Sequence, residues 1–315
     1  MDLRLVFLGT PEFAVPSLEA LVRWRRDSIV GVISQQDKPQ GRHRQVFETP
    51  VKRAARRHDL PVFQPLRIRT PEARALLERL APDLVVVVAY GQILPKWFLD
   101  LPRFGAVNVH ASLLPRYRGA APLQRAILQG EQSTGITLML MDEGMDTGPV
   151  LSRMELAILE EETAGELAAR AGVLAADFLA RELPCYLQGL RPPVPQDSSL
   201  ATYAPLLKKD DGLIRFELPG RQVHNLVRAL NPWPVAQCRC QGAPLLVHRA
   251  SALAGGAGTG MPGELAGFHE ESMLVACGQG LVALRQVQAP GRKVVSGREF
   301  ANGLRLGRGF RFENG

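Results

Sequence analysis

Asn108 and His110 stand two residues apart in the apolar stretch "GAVNVHAS", and an acidic loop with Asp142 and Asp146 follows further along the chain. In a strand, residues i and i+2 share a face. The spacing therefore sets an amide and an imidazole side by side. A carboxylate next to a His orients the ring and favours its charged form. An Asn amide offers two N–H donors to an oxyanion, and a His can take a proton and return it. Together these types suit carbonyl chemistry through a tetrahedral intermediate, with no Ser or Cys nucleophile. The same spacing also suits a His anchored in a sheet by a structural Asp, and the residues alone leave both readings open.

Such a pair needs a strand beneath it, and the chain supplies alternating strands and helices. "LRLVFLG" (3–9), "SIVGVISQ" (28–35) and "PVFQP" read as strands, and the continuous apolar run "LVVVVAYG" (84–91) as one buried on both faces. Between them, helices are expected over 49–60 and 70–83, each opened by a Thr-Pro pair in which Thr caps and Pro takes the first helical position. A strand from 135 runs into the Gly- and Asp-rich loop before 150, and a helix over 162–182 closes this half. This order predicts an α/β fold with a parallel sheet, whose ligands sit at the C-terminal ends of its strands. "LGTPEF", "VAYGQILP" and "VNVHASLLPRYRG" all fall at that edge. After a Pro-rich stretch the pattern changes to short strands split by Gly and Pro, with one helix over 220–230, which fits a small barrel of about five strands. The expected division is a domain over 1–190, a linker over 191–206 and a second domain over 207–315.

Composition narrows the function. With 315 residues, 46% hydrophobic and 22% charged, the chain is ordinary globular material with room for two domains. No apolar run reaches the roughly 18–20 residues that cross a bilayer, and the N-terminus lacks a signal-peptide pattern; a cytoplasmic protein is expected. The four cysteines (185, 238, 240, 277) form no C-x-x-C pair and are read as inert buried thiols, with no metal expected. "LGTPEF" lacks the G-x-G-x-x-G spacing of a dinucleotide fingerprint, and no phosphate-binding G-x-x-x-x-G-K-[ST] loop occurs. Of the net charge of +7, residues 205–315 carry +6, with 14 basic against 8 acidic side chains. That asymmetry points to a polyanionic partner for the C-terminal third or, equally, to a solvated basic face.

"NVHASLLPRYRGAAP" followed by "TGITLMLMDEGMDTGPVL" closely resembles the folate-dependent formyltransferase family, through its Asn-x-His, Ser-Leu-Leu-Pro and Asp-x-Gly-x-Asp-Thr-Gly elements. "FLGTPEFAVPSLEAL", "VVVVAYGQILP", "ATYAPLLKKDDGLIRF" and "VRALNPWPVA" extend the likeness over the whole chain, toward members that act on tRNA. The resemblance implies a Rossmann-like formyltransferase domain with a mostly parallel sheet and a smaller C-terminal OB-like β-barrel domain. It implies 10-formyltetrahydrofolate as the formyl donor and the α-amine of methionyl initiator tRNA as the acceptor, for translation initiation, in a monomeric enzyme that needs no metal and releases tetrahydrofolate. Its catalytic trio falls on Asn108, His110 and Asp146. Its folate pocket falls on Tyr90, Gly91, Gln92, Ile93, Leu94 and Pro95, with Ser112, Leu113, Leu114 and Pro115 nearby. Asp142 is counted with the folate-site residues and is the rival carboxylate, expected to brace its loop.

Contacts to tRNA are expected from the 35–50 loop (Lys38, Arg42, Arg44) and from the basic C-domain (Lys208, Lys209, with Arg249 among further candidates). The family's lysine run is replaced here by His43-Arg44-Gln45. A formyltransferase for a small amine, a nucleotide-sugar or glycinamide ribonucleotide, is the competing reading, and a catalytically idle RNA binder a more distant one. Trp233 is expected as a packing anchor, and His224 as a packed core residue.

Overall fold

A computed structural model describes residues 3–40, 45–253 and 260–315. Contacts group the chain into two compact units, one of residues 1–122, 133–157 and 168–204, the other of 123–132, 158–167 and 205–315.

Among the described residues, the first unit is built on nine strands. In chain order they are β1 (Leu5–Gly9), β2 (Ile29–Ile33), β3 (Lys38–Gln40), β4 (Gln45–Phe47), β5 (Val62–Phe63), β6 (Leu84–Val88), β7 (Ala106–His110), β8 (Ser133–Leu140) and β9 (Val150–Ala157). Seven lie in one sheet in the order β5-β2-β1-β6-β7-β8-β9, and β3 and β4 form a separate hairpin. The sheet is parallel from β5 through β7, and β8 and β9 run antiparallel. Every residue of β1, β6 and β7 is buried. In β1 and β6 this goes with an unbroken apolar run, as strands covered on both faces require, whereas β7 buries Asn108 and His110.

Helices α1 (Val15–Arg25), α2 (Pro50–Arg57) and α3 (Pro71–Leu80) link the early strands. Thr49 Oγ1 accepts the Lys52 amide at 3.2 Å and Thr70 Oγ1 the Ala73 amide at 3.3 Å. Each cap is worth about 1 kcal/mol, and both helices start where the Thr-Pro pairs place them. A one-turn helix α4 (Lys96–Leu99) and helix α5 (Pro122–Leu128) follow, then α6 (Ala164–Leu187). α6 runs five residues beyond its expected end, through Pro184. β9 was also not expected. Its alternation of Met154 and Leu156 with Arg153 and Glu155 makes a half-exposed edge strand, which lacks the apolar run that marks β6.

The segment expected as a linker is fastened to the first unit over much of its length. Val194 and Val150 exchange both backbone hydrogen bonds at 2.8 Å, and the Ala204 amide donates to the Arg118 carbonyl at 2.7 Å. Prolines at 192, 193 and 195 keep this stretch extended. An extended chain can dock on an edge as readily as it can span a gap.

The second unit holds α7 (Gly220–Ala229), strands β10 (Ala236–Cys240), β11 (Ala243–Leu253), β12 (Leu265–His269), β13 (Ser272–Ala276), β14 (Leu281–Gln288) and β15 (Val295–Ser296), and α8 (Gly297–Leu304). Antiparallel pairing gives the order β10-β11-β14-β13-β12. The two open edges are joined by the C-terminal residues. Leu265 donates to the Phe310 carbonyl at 2.7 Å and Phe312 to the Gly263 carbonyl at 2.8 Å, while Arg239 and Glu313 exchange bonds of 2.9 and 3.0 Å. Closure removes the exposed edges that would otherwise template aggregation. Phe216, Val247, Met273, Val282 and Phe312 fill the interior. Trp233, expected as a packing anchor, leaves 53% of its surface exposed. His224 is buried, with Nδ1 2.8 Å from the Ala250 carbonyl oxygen.

Candidate active site

β7 carries Asn108 and His110 to the C-terminal edge of the parallel strands, both buried and on one face of the sheet. No side-chain hydrogen bond holds the Asn108 amide to another described residue, so its donors remain free for a ligand. His110 Nε2 lies 3.0 Å from the Tyr117 carbonyl oxygen. A carbonyl only accepts, so Nε2 carries a proton and Nδ1 is the nitrogen left to gain or lose one. Nδ1 faces Asp146 Oδ2 at 3.6 Å. That is beyond a hydrogen bond. The carboxylate thus supplies charge without occupying the nitrogen.

Asp146 is held from several directions. Its Oδ2 accepts the Gly119 amide at 2.8 Å, and its backbone takes φ +55°. That left-handed conformation costs an L-residue about 1 kcal/mol, with Asp among the more tolerant types. The loop from Met141 to Pro149 turns tightly, because a side chain on Gly148 would run into the Leu140 carbonyl at 1.9 Å. Asp142 is exposed and braces the same loop, its Oδ1 accepting from the Gly144 amide at 3.1 Å and from Thr147 Oγ1 at 2.6 Å. It also borders a hollow of about 450 Å³ with Lys96, Leu99, Asp100, Met141, Glu143 and Gly144.

The 112–115 turn is an internal brace. Ser112 is fully buried and donates to the Arg116 carbonyl at 2.6 Å. Thr137, paired with His110 across β8, donates to the Ser112 carbonyl at 2.6 Å and accepts the Leu114 amide at 3.2 Å. Leu114 packs with Met139 and Val150. Leu113 and Pro115 are partly exposed.

Tyr90 to Pro95 follow β6, one strand over. The Tyr90 ring is buried among Leu94, Phe98 and Val87. Its hydroxyl finds no partner among the described residues, and burial pushes its pKa up to about 12. Its carbonyl oxygen accepts from Thr10 Oγ1 at 3.1 Å and from Gln35 Nε2 at 2.8 Å. Gln92 Oε1 accepts the Ile68 amide at 2.9 Å, and Ile93 is 69% exposed.

Of the residues expected to meet tRNA, Lys38 is exposed on β3, and Arg42 and Arg44 lie outside the described residues. The root of that hairpin is tightly held. Lys52 Nζ sits 2.5 Å from Asp37 Oδ2 and donates to Gln64 Oε1 at 2.9 Å, while Gln64 Nε2 returns a bond to Asp37 Oδ1 at 2.8 Å. In the second unit, Lys208 and Lys209 are exposed. Arg249 is instead ion-paired with Glu166, and that hydrogen bond holds the Glu166 carboxyl down at about 2. Cys238, Cys240 and Cys277 are buried, and burial raises all three thiols; Cys185 is only partly buried. Among the described residues, no cluster of His, Cys, Asp or Glu could hold a metal ion, and no helix is long and apolar enough to cross a membrane.

A mostly parallel α/β sheet and an appended antiparallel β-barrel define a two-part class of enzyme, and the relatives name it. The chain belongs to the formyl transferase family, matching its model over residues 3–183 and that of the formyl transferase C-terminal domain over 206–305. It is 46% identical, over 98% of its length and 96% of the relative's, to methionyl-tRNA formyltransferase of Geobacter sulfurreducens. Solved structures share the fold. An N-formyltransferase of Helicobacter canadensis, in complex with folinic acid and dTDP-3-aminofucose, covers 90% of this chain and 98% of its own at 18% identity and a TM-score of 0.68. A methionyl-tRNA formyltransferase of Clostridium thermocellum covers 79% and 93% at 17% identity and a TM-score of 0.54.

Proposed function

We propose that this formyltransferase moves a formyl group from 10-formyltetrahydrofolate to the α-amine of methionyl initiator tRNA. The single observation that carries the chemistry is the imidazole of His110, donating from Nε2 to a carbonyl while Nδ1 faces Asp146 at 3.6 Å. The full-length likeness at 46% identity supports the acceptor. The folate would be held by the Tyr90–Pro95 loop, where Ile93 offers an exposed apolar face. Bound there, it supplies an activated carbonyl carbon.

Asn108 donates to the formyl oxygen as the amine adds and negative charge develops, while Nδ1 of neutral His110 takes the amine's proton and, as the imidazolium so formed, supports the oxyanion. His110 carries a proton from the amine toward the departing nitrogen as the new C–N bond forms and the old one breaks. Asp146 lowers the energy of the imidazolium through that exchange. The region of 1–190 does the chemistry on this reading, and 207–315 holds the RNA, with Lys208 and Lys209 contacting phosphates and Lys38, Arg42 and Arg44 reaching from the 35–50 loop. Phosphate contacts position an RNA without reading its sequence.

The test offers formyl-labelled 10-formyltetrahydrofolate with methionyl initiator tRNA, free methionine, glycinamide ribonucleotide and an amino-sugar nucleotide in competition. Label on the tRNA alone is the expected result. Label on a small amine alone would return the barrel to an unexplained appendage.

A further inference from the structure

Between residues 188 and 200 every side chain is exposed except Gln196, which turns inward. Its Nε2 donates to two backbone carbonyls of the acidic loop, that of Asp146 at 2.9 Å and that of Gly148 at 2.7 Å. Its Oε1 accepts from Arg118, at 3.2 Å from Nε and 2.8 Å from Nη2. Arg118 is buried and has no carboxylate partner among the described residues; Ser198 Oγ, 3.4 Å from Nη2, is its other side-chain contact. A buried guanidinium without a counter-ion is costly unless hydrogen bonds satisfy it. Here the amide oxygen of Gln196 does so, and this leaves the amide nitrogen aimed at Asp146.

The stretch around Gln196 is pinned at both ends. Val194 pairs with Val150 beyond the acidic loop. Thr202 accepts the Tyr117 amide on its hydroxyl at 2.8 Å and the Arg118 amide on its carbonyl at 2.8 Å. Gly119 approaches Ala204 so closely that a side chain there would lie 2.7 Å from the Ala204 carbonyl, and its φ of +123° is itself a glycine conformation. The two loops that address His110, one through the Tyr117 carbonyl and one through Asp146, are therefore spanned by a single extended strap.

We propose that Gln196 is a positioning residue for formyl transfer: it locks the left-handed turn at Asp146 by donating to the carbonyls of Asp146 and Gly148, with Arg118 fixing the direction of the amide. It touches neither the reacting atoms nor His110. The inference rests on the catalytic reading of Asp146. Without the two bonds, the turn relaxes from φ +55° and the carboxylate leaves its place beside Nδ1. Misplacement of about 1 Å in a catalytic group costs up to roughly 10²-fold.

Gln196→Glu separates positioning from simple structural support. The carboxylate keeps an acceptor for Arg118, and gains an ion pair with it, but loses both donors to the turn. Its thermal midpoint should match or exceed that of the parent while kcat falls roughly ten- to a hundredfold, with KM for charged tRNA and for 10-formyltetrahydrofolate changed less than about twofold. Gln196→Ala should lose the same kcat. Amide hydrogen exchange supplies a readout that needs no substrate. The Gly119 amide, bonded to Asp146 Oδ2, should exchange at least about tenfold faster in both variants while β6 and β7 amides do not change. Parent-like kcat in Gln196→Glu, or unchanged exchange at Gly119, would overturn the inference. A parent enzyme inactive on charged tRNA would refute the substrate reading alone, because the exchange result stands without it.

Discussion

The two units carry their charge differently from the two halves of the sequence. Read along the chain, residues 205–315 hold +6 of the net +7. Folded, the second unit also takes in 123–132 and 158–167, which bring Glu131, Glu160, Glu161, Glu162 and Glu166 against one Arg. That unit then has 15 basic and 13 acidic residues, a net of +2, and the first unit +5. Arg221, Arg285 and Arg249 pair with Glu160, Glu161 and Glu166 in turn. A linear charge map is thus a poor guide to which surface attracts a polyanion. The tRNA reading of the second unit rests on particular exposed side chains such as Lys208 and Lys209 and not on its net charge. The first unit has its own claim through Lys38 and the 35–50 loop.

The interiors differ as well. The barrel is filled by apolar side chains and closed by its own C-terminal segment, so its residues answer to packing. Phe312→Ala should therefore destabilise this unit by about 3–5 kcal/mol, the range for emptying a buried aromatic site. Differential scanning calorimetry would show it as a lowered transition; a change below about 1 kcal/mol would mean that the tail does not close the barrel. The edge of the α/β sheet holds polar groups fixed by hydrogen bonds instead. There Asp146→Asn should leave the melting temperature near that of the parent and reduce kcat by about two to four orders of magnitude, the range for losing an acid–base group or the carboxylate that orients it.

Charge reversals address the contrast directly. Lys208→Glu with Lys209→Glu should weaken tRNA binding about tenfold and reduce the slope of log affinity against log salt by about 2. Lys38→Glu should reduce it by about 1. An effect of Lys38 alone would move the RNA contact to the first unit. The smallest effect expected is from Arg249→Met. Glu166 has a folded pKa of about 2 against an ordinary 4.5, so its stabilising contribution is full above about 4.5 and is lost as pH falls toward about 2. Removing Arg249 should shift the acid limb of the stability profile upward in pH. At half-exposed side chains the change amounts to a few tenths of a kcal/mol, present in full at neutral pH and vanishing as pH falls toward about 2, as denaturant melts followed by circular dichroism at the two pH values would show.

Much of this was legible in the chain. Thr49-Pro50 and Thr70-Pro71 mark their helices because a cap and a fixed φ act locally, and "LVVVV" marks β6 because burial on both faces needs an apolar run. The i, i+2 spacing of Asn108 and His110 put both on one face before any fold was known. The roles given to Tyr90–Pro95 came from resemblance, and the structure adds an unpartnered hydroxyl there. Gln196 was not legible. It sits in "PPVPQD", where prolines announce an extended chain, but nothing local says which surface that chain will follow or which of its side chains turns inward. β9 was missed for a related reason, since an edge strand half in water keeps its polar residues.

The most direct test of the division between a chemical unit and a binding unit is single-turnover formyl transfer to methionyl initiator tRNA by the parent and His110→Ala enzymes. The account requires unchanged affinity for the charged tRNA and a transfer step slower by at least two orders of magnitude, on the scale of about 10²–10⁴ for a lost acid–base group. A transfer rate within threefold of the parent, or a collapse of tRNA affinity with the chemistry intact, would contradict it.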